Sequence, residues 1–472
     1  MNTVVGREKE IKILNDALQS KRPELIAVYG RRRVGKTFLI NEVYKNHIKF
    51  EITGLYKSPL PEQINHFTNR IRAKAKRFDS KETPKSWMNA FLLLEQYLDG
   101  LKSKKKKVVF IDEFPWLATP RSRFLMAFGN FWNSYASKRN DLVVVICGSS
   151  ASYMIQNIIL SKGGLHNRIT ESIRLQPFSL YETELFLKRR KFHFSRYDIL
   201  HLYMILGGVP HYLDHLEQGF SVSQNIDKLC FSKDGFLVSE FNKVFQSLFT
   251  NSEKHELIVK TLSKSSKGLT RDRLLQKCKL PSSGDFTKIL QELIESGFVS
   301  QYLPFGKKTK LSLYRLSDEY SIFYLKFIHE SKAKSSGAWQ HQMNGRSYTS
   351  WSGFAFETLC LKHVEQIRYA LGVGAVYSEH SSWHNENAQV DLVIDRSDNV
   401  INLCEIKFTK APFTITKKYA SELINKTNEF MKSHNYRKSL FTTMITVHGL
   451  VQNQHSLQVV TNSISADSLF EF

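Results

Sequence analysis

The chain has 472 residues, of which 42% are apolar and 24% charged, with a formal net charge of +23. That length fits about three or four domains rather than one, and the composition excludes disorder in favour of packed globular units. The positive excess points to a polyanionic partner, nucleic acid before an anionic membrane, or to lysines that are merely solvated.

Five cysteines, Cys147, Cys230, Cys278, Cys360 and Cys404, are scattered without a CxxC pair, which excludes a zinc site and a disulfide framework and fits a reducing cytosol. The segment Met1 to Glu8 lacks signal-peptide character, and no apolar run approaches a membrane span. The expectation is a soluble cytoplasmic protein with no membrane partner.

In chain order, the first informative element is the apolar run 25–29 followed by Gly30-Arg31-Arg32-Arg33-Val34-Gly35-Lys36-Thr37 and a helical stretch opening at Phe38. This is GxxxxGK[ST] between a strand and a helix. Gly30 and Gly35 let successive backbone N–H groups turn toward phosphate oxygens, and the new helix adds its positive end. Lys36 is suited to the β and γ phosphates of ATP, and the Thr37 hydroxyl to Mg²⁺. One of Arg31, Arg32 and Arg33 is expected at phosphate, and the others in solvent. The run from Lys102 to Lys107 reads as a solvated turn that stops edge pairing, with contact to a phosphate backbone as the lesser alternative.

A second apolar strand, 108–111, ends in Asp112 and Glu113. At the C-terminal edge of a parallel sheet, Asp112 can hold Mg²⁺ through water, and Glu113 can polarise the attacking water. A third strand, 142–147, runs into Gly148-Ser149-Ser150, where a hydroxyl, Ser149 in particular, reads either as a contact to the γ-phosphate or its water or as part of a plain turn.

Six segments in this order, Val5 to Glu10, the Gly30 to Thr37 loop, Ile111 to Phe114, Gly148 to Ser150, Leu175 to Ser179 and Gly207 to Pro210, resemble the prokaryotic ATPases abundant in archaea and also found in bacteria, a branch of the AAA+/STAND-like P-loop proteins. The resemblance implies a nucleotide-binding core followed by a helical lid, with Gly6 and Arg7 near the base and sugar. Arg168 lies where similar proteins carry an arginine. It is either a surface residue or a source of positive charge for the transition state, within one subunit or across two copies of a homo-oligomer. The nucleotide-binding set is then Gly6, Arg7, Gly30, Arg31, Arg32, Arg33, Val34, Gly35, Lys36, Thr37, Phe38, Asp112 and Ser149.

Residues 179–250 read as helices of a lid and connector. From 251 to 330 the pattern is three helices and a β-hairpin, a winged helix-turn-helix, with Thr270 as an N-cap, a third helix opening at Ser282 to Asp285, and a return strand 310–316. Lys288 on the third helix and Lys307, Lys308 and Lys310 around the wing suit phosphate contacts. The alternative is a protein–protein spacer, a use that winged helices also have in this ATPase group.

A linker at 331–337 precedes the last domain, 338–472. Glu357 lies on a helix; Asp391 lies on a strand joined by a turn to a second strand carrying Glu405, Ile406 and Lys407. Residues two apart share a strand face, so Glu405 and Lys407 point the same way and Asp391, one hairpin away, can meet them. Asp391 and Glu405 suit a divalent cation, Mg²⁺ or Mn²⁺, and Lys407 suits a water or phosphate charge. This order resembles the PD-(D/E)XK nuclease fold, with Val390 where a proline is common. Gln389 and His384 are site neighbours or surface residues; Asp395 and Asp398 fall at the turn, away from the site.

The expected fold class is therefore α/β: a P-loop NTPase parallel sheet (1–178) with a helical lid, a winged helix-turn-helix, and a C-terminal α/β PD-(D/E)XK-like domain. The expected function is a Mg²⁺-dependent ATPase that couples ATP to DNA binding and to cleavage through Glu357, Asp391, Glu405 and Lys407. The rivals are a DNA-binding regulator with an inactive nuclease-like domain, and an ATPase acting on a protein partner.

Overall fold

The computed structural model of the protein describes residues 4–75, 83–103, 105–160, 163–249, 251–329, 337–433 and 437–471. Lys104 and linker residues 331–336 lie outside these. The chain forms two compact units, Met1–Gln176 and Pro177–Phe472.

In the first unit, β1 (Glu24–Tyr29), β2 (Ile48–Thr53), β3 (Lys107–Asp112), β4 (Leu142–Gly148) and β5 (Glu171–Arg174) form one sheet in the order β2-β3-β4-β1-β5. Every pairing is parallel. Both faces are covered, which is why these strands read as unbroken apolar runs rather than alternating ones. Leu25, Ala27, Val144 and Ile146 enter one core, while Ile26, Val28, Val143 and Val145 enter the other. All C-terminal strand ends therefore meet at one edge, where β1 passes into the loop 30–35 and the helix Lys36–Tyr44.

The lysine run before β3 divides: Lys102 and Lys105 are exposed, as a solvated turn would have them, whereas Lys106 and Lys107 are not. β3 is interior, between β2 and β4. Lys106 is buried and donates to the carbonyls of Ala17, Ser20 and Arg22 at 2.8 Å each. It thereby satisfies backbone acceptors at and beyond the C-terminus of the helix Glu8–Gln19. Lys107 is buried as well and pairs with Asp141.

The second unit begins with the helices Leu180–Arg189 and Arg196–Leu206, each opened by a capping box, Ser179 with Glu182 and Ser195 with Asp198. After Pro210–Leu213, Val222–Ile226 and Glu240–Leu248 come the helices Ser252–Leu262, Arg271–Cys278 and Gly284–Glu295, with β6 (Leu269–Thr270), β7 (Val299–Tyr302) and β8 (Leu313–Leu316) in the order β6-β8-β7. Thr270 caps its helix by accepting from the Arg273 amide, and Ser283 caps the next. The return strand is shorter than expected: residues 309–311 form a 3₁₀ turn closed by the Ser312 hydroxyl on the Thr309 carbonyl, so Lys310 lies before β8 rather than in it.

The last sheet holds β9 (Ser378–His384), β10 (Gln389–Arg396), β11 (Val400–Lys407), β12 (Ser439–Thr446) and β13 (Asn462–Ser465) in the order β13-β12-β11-β10-β9. β9, β10 and β11 are antiparallel neighbours, while β11, β12 and β13 are parallel. The helix Lys417–Ser433 makes the crossover from β11 to β12, and the helix Arg346–Lys362 packs against β11. The β9–β10 register shifts between Val390 and Val393, a bulge that spans Asp391.

The loop from β7 to β8 is tied to this sheet. The Phe305 amide donates to the Ser382 carbonyl at 2.8 Å, and its ring lies 5.2 Å from that of Phe430. Trp383, Val390 and Leu403 complete that apolar cluster.

Candidate functional site

At the sheet edge of the first unit, Gly30 adopts φ 147° and Gly35 φ 89°. A Cβ at Gly30 would stand 2.2 Å from the Leu175 carbonyl oxygen, so only glycine fits that close approach. The buried Lys36 ammonium has three donors and three acceptors: the carbonyls of Gly30 at 3.0 Å and Arg31 at 2.9 Å, and Ser149 Oγ at 3.1 Å.

Ser149 Oγ in turn donates to Glu113 Oε1 at 2.6 Å, and the Ser149 amide to Oε2 at 3.2 Å. Thr37 Oγ1 donates to Asp112 Oδ2 at 2.7 Å, and the Glu113 amide to Asp112 Oδ1 at 2.9 Å. Glu113 itself sits at φ 44°, in the left-handed region that non-glycine residues seldom adopt. The bonds to Asp112 and Ser149 hold it there, with its carboxylate turned to the end of β4.

The structure thus brings together Lys36, Thr37, Asp112, Glu113 and Ser149. An exposed hydroxyl beside a carboxylate is a pair of hard oxygen donors, which fits Mg²⁺. Arg31 and Val34 are buried, Arg32 and Arg33 half-buried, and Phe38 is exposed. Gly6 and Arg7 are consecutive left-handed residues at the start of the first helix, and the Arg7 guanidinium donates to the Gln176 carbonyl at 2.6 Å. Arg168 is exposed on the turn after Leu165 and does not join the Lys36 network.

In the C-terminal sheet, Asp391 Oδ2 accepts from the Ile406 amide at 3.0 Å, between Glu405 and Lys407. Glu405 is 2% exposed, and Lys407 Nζ lies 3.8 Å from its Oε2. Burial, and then the neighbouring Asp391, push the Glu405 carboxyl up to about 7, with Lys426 and Lys407 opposing. Sequence reading missed Lys426 and Tyr419. Lys426 donates to Glu405 Oε1 at 2.6 Å, and the Tyr419 hydroxyl contacts Oε2 at 3.4 Å. Glu357 is held by Arg315 of β8 at 2.6 Å, and burial raises its carboxyl despite that guanidinium.

Among the described residues, no three His, Cys, Asp or Glu side chains converge as a metal site. The Asp391–Glu405 pair has protein partners on three of its oxygens, two of them on Glu405. Lys426 occupies one position that a cation would take. Asp395 pairs with Lys438 and Asp398 with Arg396.

Residues 4–216 match the model of an ATPase domain predominantly from Archaea, a segment that includes the whole network around Lys36. Together with the parallel sheet, the match makes this segment a P-loop ATPase domain. The chain is 24% identical over 434 residues to an uncharacterised protein of Methanocaldococcus jannaschii, covering 89% of this chain and 91% of that one. In structure it is similar to the Walker-type ATPase of Pyrococcus abyssi (TM-score 0.49, 17% identity, 68% of this chain and 96% of that chain). It is also similar to the ORC2 protein of Aeropyrum pernix in its ADPNP–ADP complexes (TM-score 0.41, 16% identity, 72% and 95%). No helix among the described residues is long and apolar enough to cross a membrane.

Proposed function

We propose that the protein is a Mg²⁺-dependent ATP hydrolase whose nucleotide state controls DNA binding by the second unit. The observation that carries this reading is the bonded series Lys36–Ser149–Glu113, which ties the phosphate-binding lysine to the acid that would activate water. Thr37 and Asp112 would hold Mg²⁺, which neutralises phosphate charge when bound. Glu113 would orient the attacking water and take its proton, and Lys36 would exchange its loop carbonyls for phosphate oxygens. Arg168, exposed as it is, would reach the transition state from its own subunit or across two copies.

DNA binding rests on the three-helix and three-strand element. Its third helix exposes Thr287, Lys288 and Gln291, and the following loop exposes Lys307, Lys308 and Lys310, groups fitted to phosphate and base contacts. For the last sheet the reading is a PD-(D/E)XK-like domain with Asp391, Glu405 and Lys407 as its site and Glu357 in support. A second reading, binding without cleavage, is favoured by Lys426, which already balances Glu405.

A plasmid assay with Mg²⁺ or Mn²⁺, with and without ATP, tests both. Cutting that disappears in Lys407→Ala and changes in Lys36→Ala establishes an ATP-controlled nuclease. ATP-dependent binding with intact plasmid under every condition establishes the second reading. ATP turnover undiminished in Lys36→Ala would sink the whole proposal.

A further inference from the structure

Between the loop that joins β7 to β8 and the strands β9 and β10 lies a cavity of about 750 Å³. Lys267 and Lys307, both exposed, and His384, half-buried, contribute to its lining. Burial lowers the His384 pKa, and the charges of Lys267 and Lys307 lower it further, so two ammonium groups and a neutral imidazole face the same space. Arg315 lines it too, although only 5% exposed. Its terminal nitrogens reach Glu357 and Thr358, while its buried Nε has no hydrogen-bond partner among the described residues. Asp391 and Glu357 belong to the same lining, so the cavity reaches the carboxylate site.

Tyr302, Phe305 and Trp383 all line this space, Trp383 from within the buried apolar cluster and the other two from fixed positions. The Tyr302 hydroxyl donates to the Lys267 carbonyl at 2.6 Å, and Phe305 is anchored by its amide on Ser382. Lysines that neutralise a phosphodiester backbone beside rings on which bases stack are the chemistry of single-strand recognition. The cavity's volume lies in the range that takes one compact ligand of roughly 300–1,000 Å³, enough for an unpaired nucleotide and too little to enclose a duplex.

We propose that this cavity takes about one or two nucleotides of an unpaired nucleic-acid strand, a free end or an unwound segment, and leads it to Asp391. Lys267 and Lys307 hold its phosphates, and Tyr302 and Phe305 face its bases. The inference rests on the reading that the second unit binds nucleic acid, and it narrows that reading to single strands at this site.

The test is fluorescence anisotropy on the full chain with three labelled probes of about 12 nucleotides, within the site sizes of single-strand binders: oligo-dT, oligo-rU and a blunt DNA duplex. At least one single strand should bind about tenfold more tightly than the duplex, and the preference between dT and rU identifies DNA or RNA as the source. The double variant Lys267→Ala/Lys307→Ala should lose about tenfold in single-strand affinity at an unchanged melting temperature. Its slope of log affinity against log salt should flatten by roughly 0.7 per lysine removed. Duplex binding equal to or tighter than single-strand binding overturns the cavity assignment, whether or not the double variant weakens it, since Lys307 also serves the duplex reading, and leaves nucleic-acid binding standing. No binding of any probe overturns both.

Discussion

The two carboxylate sites of this chain use the same residue types in opposite ways. At the nucleotide edge the lysine is met by neutral oxygens, and the acids by hydroxyls and amides: Lys36 by Gly30, Arg31 and Ser149, Asp112 by Thr37, Glu113 by Ser149. At the C-terminal site two of the three acids are met by cations, Glu405 by Lys426 and Lys407 and Glu357 by Arg315, while Asp391 accepts from the Ile406 amide. Neutral partners leave charges of both signs available to an incoming phosphate and metal. Charged partners cancel them in advance, so a ligand there must compete with side chains the protein already supplies.

Substitutions can break or sharpen that contrast. The largest effect is expected for Lys36→Ala, a fall of roughly 10²–10³ in the rate of phosphate release, because a charge aimed at the transferred group is lost. Glu113→Gln should cost about 10² in turnover while a fluorescent nucleotide still binds, separating water activation from affinity. Retained turnover in that variant would move the base elsewhere.

In the second site, Lys426→Met should lower stability by about 3 kcal/mol at pH 8, where it strands a buried carboxylate. At pH 5, with Glu405 protonated, thermal melts should show a much smaller loss. Glu405 has its own pH signature. Its folded value of about 7 lies above the ordinary 4.5, so its contribution is full below pH 4.5 and is lost as pH rises through 7. Linkage puts that loss at roughly 3 kcal/mol, and Glu405→Gln should flatten the profile in this window. The smallest effect is expected for Ser149→Ala, about tenfold in turnover with nucleotide affinity nearly unchanged, as one hydrogen-bonded bridge between Lys36 and Glu113 disappears.

What was legible in the sequence was local. The strand, glycine loop and helix around Gly30 to Thr37 and the acids closing β3 each lie within one element and its turn. The hairpin bearing Asp391 and Glu405 was legible for the same reason, since strand alternation fixes which residues share a face. What was not legible came from afar. Lys106 looked like part of a solvated run because nothing beside it announces the carbonyls of Ala17 and Ser20. Arg315 meets Glu357 across 42 positions of chain. Lys426 left a faint trace: it falls three residues after Leu423 and four before Phe430, both buried, so helical periodicity sets it on the inward face. A lysine at such a position needs an acid beneath it, and the sequence does not say which acid.

The anchoring of Phe305 bears on how such a chain can be assembled from parts. A junction cut between the three-helix element and the last sheet would separate Phe305 from Ser382 and Phe430, and Arg315 from Glu357. Each half would then carry an orphaned aromatic or charged group. Bonds that reach further back, from Leu180 to His363 and from Trp339 to Asp227, extend the same argument, so the segment able to move between proteins as one inheritable module is the whole second unit, and chimaeras joined at the intervening linker should recombine poorly even when both parents fold well.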